Sequence, residues 1–146
     1  MIRPLQASDF DAVLDIWLRA SIQAHDFVPE QSWHDALPAM RDIYLPQAET
    51  RVWEHEGEVK GFCSLVDEGR VVAALFVDPR WQGEGIGTRL LAEAQSRHEG
   101  LELAVFTQNT AALGFYRKCG FEPAGEGVEA HTRQPETRMR WTKPQP

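Results

Sequence analysis

Three glycines within five positions are the feature of this chain best suited to binding an anion. They are Gly83, Gly85 and Gly87 in the stretch WQGEGIGTRL, directly before a run of helical periodicity. The first amides of a helix have no partner inside the helix and carry the positive end of its dipole, and glycine lets a phosphate come close. The glycine spacing matches neither a P-loop nor the G-x-G-x-x-G motif of a dinucleotide-binding turn. It predicts a phosphate-binding turn of another kind, with a purely conformational role for the glycines as the alternative.

Five polar residues elsewhere are candidates for moving protons or holding a ligand. Tyr116 lies on a predicted helix, where it is either a proton donor or a core aromatic. Asn109 precedes that helix and is suited to cap it. His25 beside Asp26 can relay a proton near neutral pH, and both can equally be turn or cap residues. Glu102 lies on the predicted strand LELAVF.

Two helices in the first third of the chain follow from hydrophobic periodicity. Apolar residues recur at helical spacing from Phe10 to Trp17, with Ser8 or Asp9 available as a cap. A second helix is expected in PEQSWHDALPAMRDIYL, and its continuity is in question at Pro38 because proline lacks an amide hydrogen.

Strand signals dominate the middle of the chain. Two strand-like runs flank Glu56 and Gly57, which predicts a hairpin turn. The run RVVAALFV is typical of a central strand covered on both faces. The other expected elements are strands at 1–4, 101–106, 121–124 and 137–141 and helices at 85–97 and 110–118. Strands that alternate with helices predict a mixed α/β sheet.

Composition limits the class of protein. A chain of 146 residues with 42% hydrophobic content is expected to form one domain over residues 1–146. The formal charge of -7 argues against a nucleic-acid partner. No leader sequence and no membrane-spanning run is expected, because the longest apolar run has only seven residues, Val71–Val77. The two cysteines and five histidines lack metal-ligand spacing, so we expect no metal site and a reducing cytoplasmic location.

Two motifs resemble those of the GNAT superfamily of acetyl-CoA-dependent N-acetyltransferases. The family motif Q/R-x-x-G-x-G/A follows a strand that ends in V-x-P, and LFVDPRWQGEGIG supplies Val77, Pro79, Gln82, Gly85 and Gly87. The second motif is N-x-x-A-x-x-F/L-Y-x-x-x-G-F, and NTAALGFYRKCGF supplies Asn109, Ala112, Tyr116, Gly120 and Phe121. The order of predicted elements extends the resemblance over almost the whole chain.

The resemblance implies a fold and a co-substrate. The fold is a single mixed central sheet of about seven strands, flanked by about four helices, with a splayed pair of central strands. The co-substrate is acetyl-CoA, with its pantetheine arm along the central strand and its diphosphate on the glycine turn. The residues that the resemblance implies for binding it are Phe76, Val77, Gln82, Gly83, Glu84, Gly85, Ile86, Gly87, Thr88, Asn109 and Tyr116.

The resemblance also implies catalytic roles. A backbone amide near Phe76 or Val77 faces the thioester carbonyl, and Tyr116 matches the acid that protonates the departing thiolate. The usual places for a base hold no carboxylate here, which leaves His25, Glu102 or a water relay as alternatives.

The acceptor is expected to be a primary amine that receives the acetyl group directly in a ternary complex. In this fold the loop between the first two helices borders the acceptor cleft, so His25, Asp26 and Phe27 are predicted to bind the acceptor. A lysine of a protein or peptide is the leading acceptor. The alternatives are a small amine such as a polyamine or drug, and a non-catalytic acyl-CoA sensor. The protein is expected to be a monomer or homodimer, and Arg80 and Arg89 either offset ligand charge or are solvated surface residues.

Overall fold

Seven strands form one mixed sheet in this computed structural model, which describes residues 1–145. The order across the sheet is β1-β2-β3-β4-β5-β7-β6. The strands are β1 (Ile2–Pro4), β2 (Glu49–His55), β3 (Glu58–Val66), β4 (Val71–Val77), β5 (Gly100–Phe106), β6 (Glu122–Val128) and β7 (Pro135–Thr142). The helices are α1 (Phe10–Ala24), α2 (Glu30–Ala39), α3 (Leu45–Gln47), α4 (Ile86–Arg97) and α5 (Thr110–Lys118). Because α2 continues into α3 through a π-helical turn, the α-helices within residues 1–145 form four continuous segments, and the predicted fold class is confirmed.

The two central strands diverge from each other. β4 and β5 are parallel, and the pairing described between them is confined to Val71 opposite Glu102. A β-bulge accompanies the divergence, since Val72 faces Leu65 while Ala74 faces Ser64. A cleft therefore opens between β4 and β5, in the middle of the sheet.

Apolar side chains pack on both faces of the sheet. On one face, α4 buries Leu90 and Leu91 in a cluster that includes Met139. On the other face, α1 buries Val13 and Ile16 against a cluster that includes Phe62. These two layers hold the diverging strands from either side.

The hairpin prediction is confirmed by the backbone of the turn. Glu56 and Gly57 join β2 to β3 with φ angles of 53° and 77°. Positive φ at both turn residues matches the right-handed twist of the strands.

Three local expectations are refined or corrected by the structure. The open question of helix continuity at Pro38 is answered, because the proline lies inside α2, and α2 passes into a π-helical turn at Met40–Tyr44. Asp9 takes the N-cap position of α1, but its side chain makes no capping hydrogen bond there, because its carboxylate accepts from the backbone amide of Gln6 and pairs with Arg3. β4 is not covered on both faces, because Ala73 is exposed where the strand borders the cleft.

In residues 1–145 no helix is both long and apolar enough to cross a membrane.

Candidate active site

A cleft of about 990 Å³ lies between β4 and β5. Its walls come from both diverging strands, from residues after β4, from α5 and from the end of α1. None of the residues that line it, among residues 1–145, is Asp, Glu, Lys or Arg. The lining of the cleft is therefore uncharged, and its polar side chains are neutral ones such as Gln82, Thr88 and Asn109.

The glycine turn borders this cleft and leaves its backbone accessible. Gly83 and Gly85 have φ angles of 86° and 82°, a region that other residues enter only with strain. A β-carbon built at either position would meet no atom within 4 Å. Gly85 is the N-cap of α4, so amides at the positive end of that helix lie beside open space. This cradle fits the diphosphate of acetyl-CoA, which the residues at 82–88 would hold through backbone amides.

The side chains of the glycine turn differ in where they lie. Gln82 lines the cleft, and its Nε2 donates to the carbonyl of Val77 at 3.2 Å. Ile86, Gly87 and Thr88 also line it. Glu84 is exposed and is not among the residues that line the cleft.

A buried carboxylate anchors the turn to α1. Asp78 is 1% exposed, and its two oxygens accept hydrogen bonds from Arg19 at 3.0 and 2.9 Å. The guanidinium of Arg19 and the donors of Arg80 hold the pKa of Asp78 well below its usual range. Arg80 also pairs with Glu58 at 2.9 Å, so the expectation that it offsets charge at the glycine turn is not supported.

The side chain of Arg89 also lies against a residue outside the glycine turn, the aromatic ring of Trp53. Its guanidinium carbon lies 5.4 Å from the centroid of the Trp53 ring on β2. Neither arginine that flanks the turn in sequence lines the cleft.

The backbone of β4 presents alternate amides to the cleft. The amide of Asp78 donates to the carbonyl of Lys60 on β3 at 2.8 Å. Because successive amides of a strand point to opposite edges, the amide of Val77 points toward β5 and that of Phe76 toward β3. Val77 is thus the better placed of the two candidates for an oxyanion donor, while the side chain of Phe76 lines the cleft.

Tyr116 combines burial with access to the cleft. It lies on α5, is 9% exposed and lines the cleft. Burial raises the pKa of its phenol above the ordinary value, so the group keeps its proton at neutral pH. A neutral phenol in this position can donate a proton or a hydrogen bond to a group in the cleft.

Asn109 caps α5 and also contacts His25. Its Oδ1 accepts from the amide of Ala112 at 3.1 Å, and its Nδ2 lies 3.2 Å from Nε2 of His25. The other ring nitrogen of His25 lies 2.9 Å from the carbonyl of Ser21, which can only accept. Nδ1 of His25 therefore carries the hydrogen and Nε2 accepts from Asn109.

His25 is buried and its charged form is disfavoured. It is 6% exposed, and desolvation lowers its pKa below the ordinary value, against a smaller opposing effect of the Ser21 carbonyl. The imidazole is therefore neutral at pH 7, and its accepting nitrogen is already occupied.

The other predicted acid–base and acceptor residues are placed differently. Glu102 is exposed, lies outside the cleft lining and pairs with Arg140 on β7 at 3.1 Å, since the two are opposite in the sheet register. Asp26 is exposed and also outside the lining. Phe27 packs edge-on against the rings of His25 and Phe106, each at 5.6 Å between centroids. This geometry does not favour Glu102 as the base or Asp26 as a partner of His25 in a proton relay.

An aromatic wall was not predicted as part of the site. Trp33 and Phe106 line the cleft, with ring centroids 5.2 and 4.9 Å from that of His25. Trp17 also lines it and meets Trp33 edge-on at 5.8 Å. Helical periodicity assigned Trp17 to the core, and it does belong to a core cluster as well. The feature that could have identified Phe106 as part of the cleft wall is its position at the end of β5, where a diverging strand meets the cleft.

Comparisons with known proteins agree with this geometry. The sequence profile of the family described as "Acetyltransferase (GNAT) domain" matches residues 46–123. The chain is 38% identical to "Peptidyl-lysine N-acetyltransferase YiaC" of Escherichia coli (strain K12), over 97% of this chain and 96% of the relative. The solution structure of apo-form YjaB from Escherichia coli is similar with a TM-score of 0.84 at 29% identity, covering 97% of this chain and 96% of that one. The PaiA N-acetyltransferase of Thermoplasma acidophilum, solved with coenzyme A, is similar in fold with a TM-score of 0.84 at 17% identity, over 98% of both chains.

Proposed function

The chain belongs to the GNAT family of acetyl-CoA-dependent N-acetyltransferases, and on that premise we propose that it acetylates lysine side chains of peptides or proteins. The observation that carries this choice of acceptor is the uncharged lining of the cleft described among residues 1–145. The name of the relative YiaC, a peptidyl-lysine N-acetyltransferase, supports the same choice.

An uncharged, aromatic cleft suits a lysine better than a polyamine. A lysine side chain has one ammonium group at the end of a long apolar stem, and the stem can pack on rings such as Trp33 and Phe106. Aromatic faces also attract the ammonium before it loses its proton. A polyamine would bring further ammonium groups into a space where no carboxylate meets them, which is costly. The same cost applies to drugs that carry several amines.

The backbone of the chain does most of the binding in this proposal. Amides at 82–88 bind the diphosphate of acetyl-CoA, and the free edge of β4 pairs with the pantetheine amides as an added strand would. The amide of Val77 donates to the thioester oxygen and stabilises the negative charge that develops there during attack.

Three proton movements accompany the transfer. The acceptor ammonium, with an ordinary pKa of about 10.4, must lose its proton before the nitrogen attacks the thioester carbon. We assign this proton to water in the cleft, because His25 already accepts from Asn109 and Glu102 lies outside the lining. As the carbon–sulfur bond breaks, Tyr116 donates to the departing thiolate. The nitrogen that has attacked still carries one hydrogen more than an amide does, and the loss of that proton to the tyrosinate restores the phenol of Tyr116. The products are the acetylated lysine and the free thiol of coenzyme A.

A panel of amines tests the acceptor. Purified protein and acetyl-CoA are incubated with a lysine peptide, the same peptide with lysine replaced by norleucine, and spermidine. Thiol release and mass spectrometry are the measurements. We expect acetylation of the lysine peptide and not of the norleucine peptide, with kcat/KM at least about tenfold above that for spermidine. A preference for spermidine would establish the small-amine function instead, and tight acetyl-CoA binding without transfer to any amine would establish a sensor.

The remaining parts of the proposal concern organisation. We take residues 1–146 to act as one catalytic domain in the cytoplasm, as a monomer or homodimer. Light scattering coupled to gel filtration measures the assembly state.

A further inference from the structure

His25 is held in place by its backbone and by its ring. It is the C-cap of α1, where its amide donates to the carbonyl of Ser21 at 3.1 Å. Its own carbonyl accepts from the amide of Val28, also at 3.1 Å. The rings of Trp33 and Phe106 lie against its imidazole. A buried side chain with this many contacts has little freedom to move, which suits it to hold another residue in place.

The imidazole of His25 connects the end of α1 to the start of α5. Nδ1 donates to the carbonyl of Ser21, and Nε2 accepts from Nδ2 of Asn109 at 3.2 Å. The opposite tautomer does not fit these contacts. With a hydrogen on Nε2, Asn109 would have to turn its oxygen toward His25, and that oxygen would leave the amide of Ala112, to which it is bound at 3.1 Å. The tautomer of His25 and the orientation of the Asn109 amide therefore depend on each other.

This orientation leaves Asn109 with a hydrogen-bond donor beside the cleft. The main chain of Asn109 is fixed from β5, because its amide donates to the carbonyl of Phe106 at 2.9 Å. The side-chain nitrogen carries two hydrogens, of which His25 accepts one. The second points away from His25, and Asn109 is a half-buried residue that lines the cleft. A carbonyl oxygen in the cleft is a suitable acceptor for it.

We propose that His25 is a positioning residue for acetyl-CoA binding, which holds the side chain of Asn109 so that its second amide hydrogen meets a carbonyl oxygen of the pantetheine arm. His25 then acts through Asn109 and is neither a base nor a residue that contacts the acceptor. A donor whose orientation is fixed before the ligand arrives loses less freedom on binding than a freely rotating one. The inference rests on the proposed function, because it takes acetyl-CoA as the ligand.

A double-mutant cycle tests whether His25 acts through Asn109. His25→Phe keeps a planar ring and removes the accepting nitrogen, and Asn109→Ser keeps an oxygen that can cap α5 and removes the amide donor. Titration calorimetry gives the Kd for acetyl-CoA. We expect each single variant to raise this Kd about fivefold, and the double variant to raise it no further than Asn109→Ser alone. His25→Gln, whose side-chain oxygen can accept in place of Nε2, should restore most of the affinity.

The other roles of His25 give different results. Loss of a base would lower kcat at unchanged Kd for acetyl-CoA, and loss of an acceptor contact would raise only the KM for the lysine peptide. Either result, or losses that add in the double variant, would overturn the positioning role and leave the acetyltransferase function in place. Failure of the wild-type protein to bind acetyl-CoA would overturn the function itself.

A measurement on the wild-type protein tests the geometry without any substitution. Nitrogen-15 chemical shifts of the His25 ring near neutral pH distinguish a ring nitrogen that carries hydrogen from one that does not. We expect the hydrogen on Nδ1 and none on Nε2. A hydrogen on Nε2 would overturn the proposal, because that nitrogen could not then accept from Asn109. Thermal melting establishes that each variant of the cycle folds.

Discussion

The substitution Gly85→Ala separates the conformational and binding roles of the glycine turn. Gly85 has a φ of 82°, lines the cleft, and has no atom within 4 Å of the place that an alanine methyl group would take. Gly57 in the β2–β3 hairpin is a matched control, with a φ of 77° and equally open space, and it does not line the cleft.

The two substitutions are expected to cost the same stability and different affinity. A left-handed alanine costs about 1–2 kcal/mol, which for a chain of this size lowers Tm by about 3–6 °C in either variant. The methyl group of Gly85→Ala also occupies the space beside the helix amides. Losing one charge-assisted hydrogen bond to phosphate costs about 1.5–3 kcal/mol, so the Kd for acetyl-CoA is expected to rise about 10- to 100-fold in that variant alone.

Differential scanning fluorimetry and titration calorimetry measure the two quantities on the same samples. We expect equal shifts in Tm and an affinity loss confined to Gly85→Ala. Equal affinity for acetyl-CoA in the two alanine variants would rule out a binding role for Gly85, because the glycine would then serve backbone conformation only.

Three other predictions concern the site and its anchor. Tyr116→Phe should lower kcat about 100-fold or more with an unchanged Kd for acetyl-CoA, and an unchanged kcat would exclude the phenol as the acid. Asp78→Asn should lower the unfolding free energy at pH 7 by about 2–3 kcal/mol. Because the pKa of Asp78 is depressed in the fold, urea titrations should show that the difference in unfolding free energy between wild type and variant shrinks as pH falls below about 4. Because the pKa of buried His25 is lowered, the Tm of the wild type should decrease more steeply than that of His25→Phe as the pH is lowered below about 6.5. Parallel curves of Tm against pH for the two proteins would contradict the burial of His25 as a neutral ring.

The elements of the fold were predictable where local chemistry decides them. The hairpin at Glu56 and Gly57 and the helix from Thr110 to Lys118 depend on residues within one turn or one helix. The insertion of β7 between β5 and β6 depends on pairing between distant segments, such as Val105 with Thr137, and local sequence carries no record of it. The bulge near Ala74 is equally a property of register against β3.

The site was predictable to the same extent. The positive φ angles of the glycine turn and the helix start beside it could be anticipated from residue types, while a binding role for the turn stays a prediction. The contact of His25 with Asn109 joins residues 84 positions apart, so the sequence could not indicate that the accepting nitrogen of this candidate base already has a donor. Glu102 was a candidate base by residue type, and its pairing with Arg140 depends on the register of β5 against β7.

Free amides of the glycine turn, in our proposal, hold the diphosphate of acetyl-CoA. Backbone amide chemical shifts recorded during titration with coenzyme A, and with pantetheine as the control lacking the diphosphate, report on these amides one by one. We expect large shifts at 83–88 with coenzyme A that pantetheine does not reproduce. Binding of coenzyme A that shifts amides elsewhere and leaves 83–88 unmoved would show that the diphosphate is held at another place.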